Sequence, residues 1–227
     1  MILLIHPSKL TNKSVKKYRL EYRFIFDILK ARNRKGALFM VLFEKPGAEN
    51  TAAALELAVQ AAKKASLDIV VATTGGGNIP VLLDLAEKAG YTGKIVAVTH
   101  AFGSREKGKN ILEPAKMQEF RDKGVIVVTA AHALSGAERG LSKKFSGIYP
   151  VEIVANTLKM LGQGTKVCVE IAMMALDAGT IDYGKQIIAI GGSGRGADTV
   201  CRLTPEYTSD LMGTKIHEIL CKPSLEE

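Results

Sequence analysis

Residues 68–100 read DIVVATTGGGNIPVLLDLAEKAGYTGKIVAVTH, and their order decides the fold. DIVVAT (68–73) is an apolar, β-branched run of strand length, and KIVAVTH (94–100) is a second one. Between them Pro80 suits the first turn of a helix and Gly90 its end. Strand, helix and strand in this order make a βαβ unit, and runs apolar on both faces belong to a parallel sheet covered by helices on both sides. The loop between strand and helix is Thr73, Thr74, Gly75, Gly76, Gly77 and Asn78. One residue at positive φ turns a chain, so three glycines imply a backbone that something else approaches closely.

The same alternation runs outward in both directions. LFMVLF (38–43) reads as a strand and residues 50–66 as a helix capped by Asn50 or Thr51. Pro114 opens a helix that stops at Gly124, and VIVVTAAH (125–132) is another strand. Residues 134–149 are polar and glycine-containing and break the pattern. Helices follow over 150–163, after Pro150, and over 166–178, the latter apolar nearly all round and therefore buried. QIIAI (186–190) is a fifth strand, while TVCRL and KIHEILC read as strands near the C-terminus, one or both antiparallel. The expected architecture is a single three-layer α/β/α domain, residues 37–227, with a mostly parallel sheet of about five strands.

The chain of 227 residues carries a formal charge of +8, which draws attention to nucleic acid and membrane surfaces. Ten of the 31 Lys and Arg lie in residues 1–36 against Glu21 and Asp27, leaving 21 basic and 21 acidic residues in the body. The charge thus belongs to a basic N-terminal extension, residues 1–36, and not to a binding face of the domain. Tyr18, Tyr22, Ile25 and Ile28 or Leu29 stand there at helical spacing, which predicts an amphipathic helix. The segment reads as an upstream extension, a docking helix, or a transit or acidic-surface segment; MILLI is too short for a secretory signal. Apolar runs such as Ile69–Ala72 are far below bilayer-spanning length, and Cys168, Cys201 and Cys221 lack the spacing of a disulfide framework or zinc site. A soluble protein of the reducing cytoplasm is expected.

In a parallel sheet the loops after the strands converge on one edge, where ligands bind. Here they are EKPGAENT (44–51), with Gly47 and Asn50; TTGGGN (73–78); THAFGSREKGKN (99–110); AAHALSGAERG (130–140); and GGSGRGADT (191–199). Several precede helices, whose first N–H groups are free to hold phosphate. The expectation is a phosphate on loop 73–78 or on Ser193, Gly194, Arg195 and Gly196, with Arg195 supplying a planar fork and Thr199 beside it. The alternative for Arg195 is solvation or pairing with Asp198. GGSGRGA also fits a G-x-G-x-x-A dinucleotide fingerprint, but DTVCRL after it reads as a strand where the fingerprint needs a helix.

His100 and His132 each end a strand at this edge and are the candidates for proton transfer. The plainer reading makes them hydrogen-bonding residues of their loops, since no Ser or Cys nucleophile motif accompanies them. No metal site is expected from so few spaced ligands. Glu170 interrupts an apolar helix and Asp177 follows seven residues later on the same stripe. A narrow solvated stripe is the expected reading, with a buried carboxylate that holds loop N–H groups or a ligand hydroxyl as the alternative.

ENTAAALELAVQAAKKASLDIVVATTGGGNIPVLLDLAEKAGYTGKIVAVTH resembles the C-terminal α/β domain of pyruvate kinase, with its helix, strand, effector-phosphate loop and IxAVT strand in that order. GGSGRGADTVCRL resembles that domain's late glycine-rich loop before its closing strands. Over residues 37–224 the closer resemblance is to stand-alone microbial and archaeal proteins like this domain, which share KPGxEN, LSGxER, KVCVEI and GGxxRGADT. That resemblance implies binding of flavin mononucleotide (FMN) with no assigned reaction. It does not imply pyruvate kinase activity, whose catalytic groups belong to a separate β/α barrel. The triple glycine departs from the serine-containing loop usual in the family.

The functional expectation is therefore binding of a phosphorylated small molecule, FMN foremost, at the C-terminal edge of the sheet. Its ring would lie near Thr99, His100, Ala101 and Phe102, with polar support from Ser135, Glu138 and Arg139. The alternatives are a flavin-dependent or phosphate-handling enzyme and an effector-binding regulatory domain. Expected partners are that ligand and further copies of the chain, with nucleic acid or membrane contacted through residues 1–36 alone.

Overall fold

The computed structural model describes residues 3–5 and 40–225. Eight strands form one sheet: β1 (Leu3–Ile5), β2 (Val41–Phe43), β3 (Asp68–Ala72), β4 (Ile95–Val98), β5 (Ile126–Val128), β6 (Ile187–Gly191), β7 (Thr199–Thr204) and β8 (Lys215–Pro223). Their order across the sheet is β1-β2-β8-β7-β6-β3-β4-β5. All neighbours pair parallel except β7, which runs against both β6 and β8. The helices are α1 (Thr51–Ala65), α2 (Ile79–Ala89), α3 (Pro114–Asp122), α4 (Gly136–Phe145), α5 (Pro150–Lys159) and α6 (Gln163–Asp177).

Alternation along the central strands builds the three layers. Ile69, Val71, Ala97, Ile188 and Ile190 face one side and pack with Leu55 and Val59 of α1, Leu82 of α2 and Phe120 of α3. Val70, Val96, Val98, Ile187 and Ala189 face the other side, against α6 and Ala155 of α5. Residues 164–176 of α6 are buried apart from Val167, as its apolar sequence requires of a helix packed between the sheet and α5. Pro80, Pro114 and Pro150 each lie in the first turn of a helix, and Gly90 closes α2 in the left-handed conformation.

The sheet has eight strands where about five were expected. The two C-terminal runs complete it, and β7 alone is reversed, because β8 is parallel to β2. Leu3–Ile5 adds an edge strand on β2, so the sheet takes in three residues of the basic N-terminal segment. The helix expected over residues 18–29 lies outside the described residues. The polar stretch 134–149 contains α4, a helix with no buried residue, which is why no apolar stripe announced it. Among the described residues no helix is long and apolar enough to cross a membrane.

Candidate functional site

The register aligns Ile190, Val71, Ala97 and Val127 in one row, so the loops after β6, β3, β4 and β5 leave the sheet at one level. Adjacent strands are ~4.8 Å apart. The loop after β6 therefore begins beside the loop after β3, and the β4 and β5 loops stand one and two spacings further on.

At one end of this row a buried carboxylate ties two loops together. Asp198 accepts the N–H groups of Gly47 (3.3 Å) and Ser193 (3.1 Å) and the hydroxyls of Ser193 (3.3 Å) and Thr199 (2.8 Å). Ala197 N–H donates to Thr51 Oγ1 at 3.0 Å, and Asn50 Nδ2 holds the Lys45 carbonyl at 2.7 Å. Asp198 and Thr199 are both fully buried, so Thr199 belongs to the support of the loop and not to its open face. Gly194, Arg195 and Gly196 are exposed. Asp198 is taken up by these four donors, and among the described residues Arg195 has no ion-pair partner.

The three glycines of the neighbouring loop divide into two kinds. Gly76 sits at φ 80°, and a Cβ there would meet the Phe120 ring at 2.7 Å. Gly75 and Gly77 need no such freedom: a Cβ on either would meet nothing within 4 Å. Thr73 Oγ1 donates to Asn78 Oδ1 (2.7 Å) and accepts Gly76 N–H (3.1 Å), while Asn78 Nδ2 donates to the Ala72 carbonyl (2.9 Å). Thr73 and Asn78 thus lock the loop from inside. Among the described residues the N–H groups of Gly75 and Gly77 have no protein acceptor.

At the other end of the row two histidines meet, and neither ends a strand as expected: β4 stops at Val98 and β5 at Val128, so His100 and His132 stand two and four residues into the loops that follow. His100 Nδ1 and His132 Nε2 are 3.1 Å apart, with the rings edge to face. His132 Nδ1 lies 3.4 Å from Glu170 Oε2, and Lys166 Nζ lies 2.5 Å from the same oxygen. Glu170 Oε1 accepts the N–H of Leu134 at 3.0 Å. The solvated-stripe reading of Glu170 is overturned: its side chain is 4% exposed and it holds a loop N–H, while Asp177 at the outer end of α6 is exposed. Burial alone would raise the Glu170 carboxyl, but the His132 contact and the Lys166 ammonium hold it down at about 2. The His100 imidazole is pushed below its ordinary value by burial and by His132.

The remaining predicted residues divide likewise. Thr99 is buried, with Oγ1 donating to the His100 carbonyl (3.0 Å) and 2.7 Å from Thr129 Oγ1. Glu138 accepts Val151 N–H at 2.9 Å and so fixes the start of α5. Phe102 is 64% exposed, Thr74 and Arg139 are exposed, and Ala101 and Ser135 are partly so.

Residues 52–201 match the family described as pyruvate kinase, alpha/beta domain. The chain belongs to the pyruvate kinase alpha/beta domain family. Among solved structures, a pyruvate kinase from Cryptosporidium parvum is 15% identical over 80% of this chain and 26% of its own, with a TM-score of 0.34. The Cryptosporidium parvum pyruvate kinase in complex with ADP is 16% identical over 88% of this chain and 27% of its own, also with a TM-score of 0.34. The chain spans about a quarter of the length of these pyruvate kinases.

The region matched by the family contains the glycine loop, both histidines, Lys166, Glu170 and the turn around Arg195; the loop carrying Gly47 precedes it. Lys166 is the residue that the sequence reading missed. Its signal was present in KVCVE, where a lysine stands four residues before a glutamate on an apolar helix, the spacing of a facing ion pair. Among the described residues no group of three His, Cys, Asp or Glu could hold a metal ion. An open groove lined by Leu83, Tyr91, Ile95 and Lys123 lies by the N-terminal ends of β4 and β5, away from these loops.

Proposed function

We propose that this pyruvate kinase alpha/beta domain binds a phosphorylated small molecule, FMN foremost, at the C-terminal edge of its parallel strands. One observation carries the reading: Gly75 and Gly77 face open space with unpartnered N–H groups, and the adjacent loop after β6 exposes an unpaired Arg195. Free backbone N–H groups in a loop that leads into a helix, together with a guanidinium fork, suit a phosphate dianion. The histidine pair belongs to the loops after β4 and β5, strands that lie one and two spacings (~5–10 Å) from β3, which leaves room for a body larger than phosphate. The resemblance carried by the KPGxEN and GGxxRGADT motifs implies FMN within that class.

Pyruvate kinase activity is not part of this reading, because the family match concerns the alpha/beta domain alone. The three cysteines are unpaired and buried, which supports a reducing compartment such as the cytoplasm. Further copies of the chain are the proposed protein partners, and residues 1–36 the place for any anionic surface. The purified full chain should show flavin absorbance, or gain it with saturation on titration with FMN. A colourless protein whose spectrum does not respond to FMN contradicts the proposal.

A further inference from the structure

The four groups at the β5 end of the site form a connected chain from the interior to the loop surface. Lys166, 8% exposed, fixes Glu170; Glu170 meets His132; and His132 meets His100. The hydrogen-bonding capacities then set both tautomers. An ionised Glu170 accepts only, so His132 carries its proton on Nδ1. His132 Nε2 is then an acceptor, and His100 must donate to it from Nδ1. His100 Nε2 is left with a free lone pair, and among the described residues it has no partner.

We propose that Glu170, His132 and His100 form a proton relay whose outer end, His100 Nε2, serves as a general base toward a phosphorylated ligand bearing a hydroxyl or a C–H beside a carbonyl. The ligand class rests on the proposed phosphate site; the relay rests on the side chains alone. In the step the ligand X–H bond breaks and its electron pair stays on X, while the proton bonds to His100 Nε2. The His100 Nδ1 proton crosses to His132 Nε2 along the 3.1 Å contact. His132 becomes an imidazolium facing the Glu170 carboxylate, so the ligand gains one negative charge at X and the histidine pair one positive charge. Returning the proton reverses each transfer. The charged groups bearing on the pair are Glu170 and Lys166 of α6 and Arg105 of the loop after β4. Burial, His132 and Arg105 act together to keep His100 neutral, the form a base requires, against the pull of Glu170.

The test uses the full chain with 15N-labelled histidine and no ligand, so that it stands apart from the FMN titration. Long-range 1H–15N spectra near pH 7.5 should show His100 and His132 both protonated on Nδ1, assigned through His100→Gln and His132→Phe. Diethyl pyrocarbonate, which acylates an unprotonated imidazole nitrogen, should modify His100 about tenfold faster in the wild type than in His132→Phe. Glu170→Gln, provided it folds, should shift His132 to a tautomer mixture, and His132→Phe should do the same to His100. His100 protonated on Nε2 in the wild type, or acylation equally fast in His132→Phe, overturns the relay. A chain that passes these tests but ignores FMN keeps the relay and loses the proposed ligand.

Discussion

Gly76 and Gly77 are neighbours with opposite reasons for being glycine, and substitution separates those reasons. Alanine at Gly76 would force a side chain into φ 80° and set its Cβ 2.7 Å from the Phe120 ring. Gly76→Ala should cost about 2–3 kcal/mol of unfolding free energy in a urea titration, combining left-handed strain with overpacking. At Gly77 the added methyl meets nothing and the backbone is not left-handed. Gly77→Ala should leave stability unchanged or raise it by up to about 1 kcal/mol, since the unfolded chain loses freedom. The same variant should weaken FMN several-fold, because the methyl occupies the space where the phosphate is proposed to rest. A Gly77→Ala chain that binds FMN as the wild type does would move the phosphate off this loop.

Among the elements, α6 does the most, and its Glu170–Lys166 pair makes a pH-dependent claim. The Glu170 carboxyl is held at about 2, below its ordinary 4.5, so its contribution is fully present above pH 4.5 and is lost as the pH falls toward 2. Glu170→Gln leaves Lys166 buried without its counter-charge and should cost about 3 kcal/mol near pH 7. Its urea midpoint should approach that of the wild type as the pH drops through this window; a constant gap down to pH 2 would contradict the pairing. The elements themselves were legible where burial writes a period into the sequence. The runs at 68–73, 94–100 and 186–190 became β3, β4 and β6 because strands covered on both faces must be apolar throughout. The exposed α4 left no such trace, and neither did the three-residue edge strand β1. The burial of Glu170 depends on Leu134 N–H, 36 residues earlier in the chain, a contact that no local pattern encodes.

At the scale of the whole molecule, charge and binding chemistry occupy separate parts of the chain. The body beyond residue 36 holds 21 residues of each sign, whereas the site draws on N–H groups, one arginine and two histidines within it. A chain beginning at Gly36 should elute from a phosphate-bearing or heparin matrix at clearly lower salt than the full chain, because each neutralised phosphate steepens the salt dependence. It should still bind FMN, since every loop of the proposed site follows β2; unchanged elution would show that the basic segment contributes nothing to anion binding. The proposed phosphate seat spans the β3 and β6 loops, which the sheet places side by side although more than a hundred residues separate them. Titrating the full chain with FMN and with riboflavin, in the wild type and in Arg195→Ala, tests that seat most directly. Wild-type protein should prefer FMN at least tenfold, about 1.4 kcal/mol, and Arg195→Ala should weaken FMN by about 1.5–3 kcal/mol while leaving riboflavin unchanged. Equal affinity of the wild type for the two flavins, or an equal loss of both in Arg195→Ala, would contradict the proposed seat.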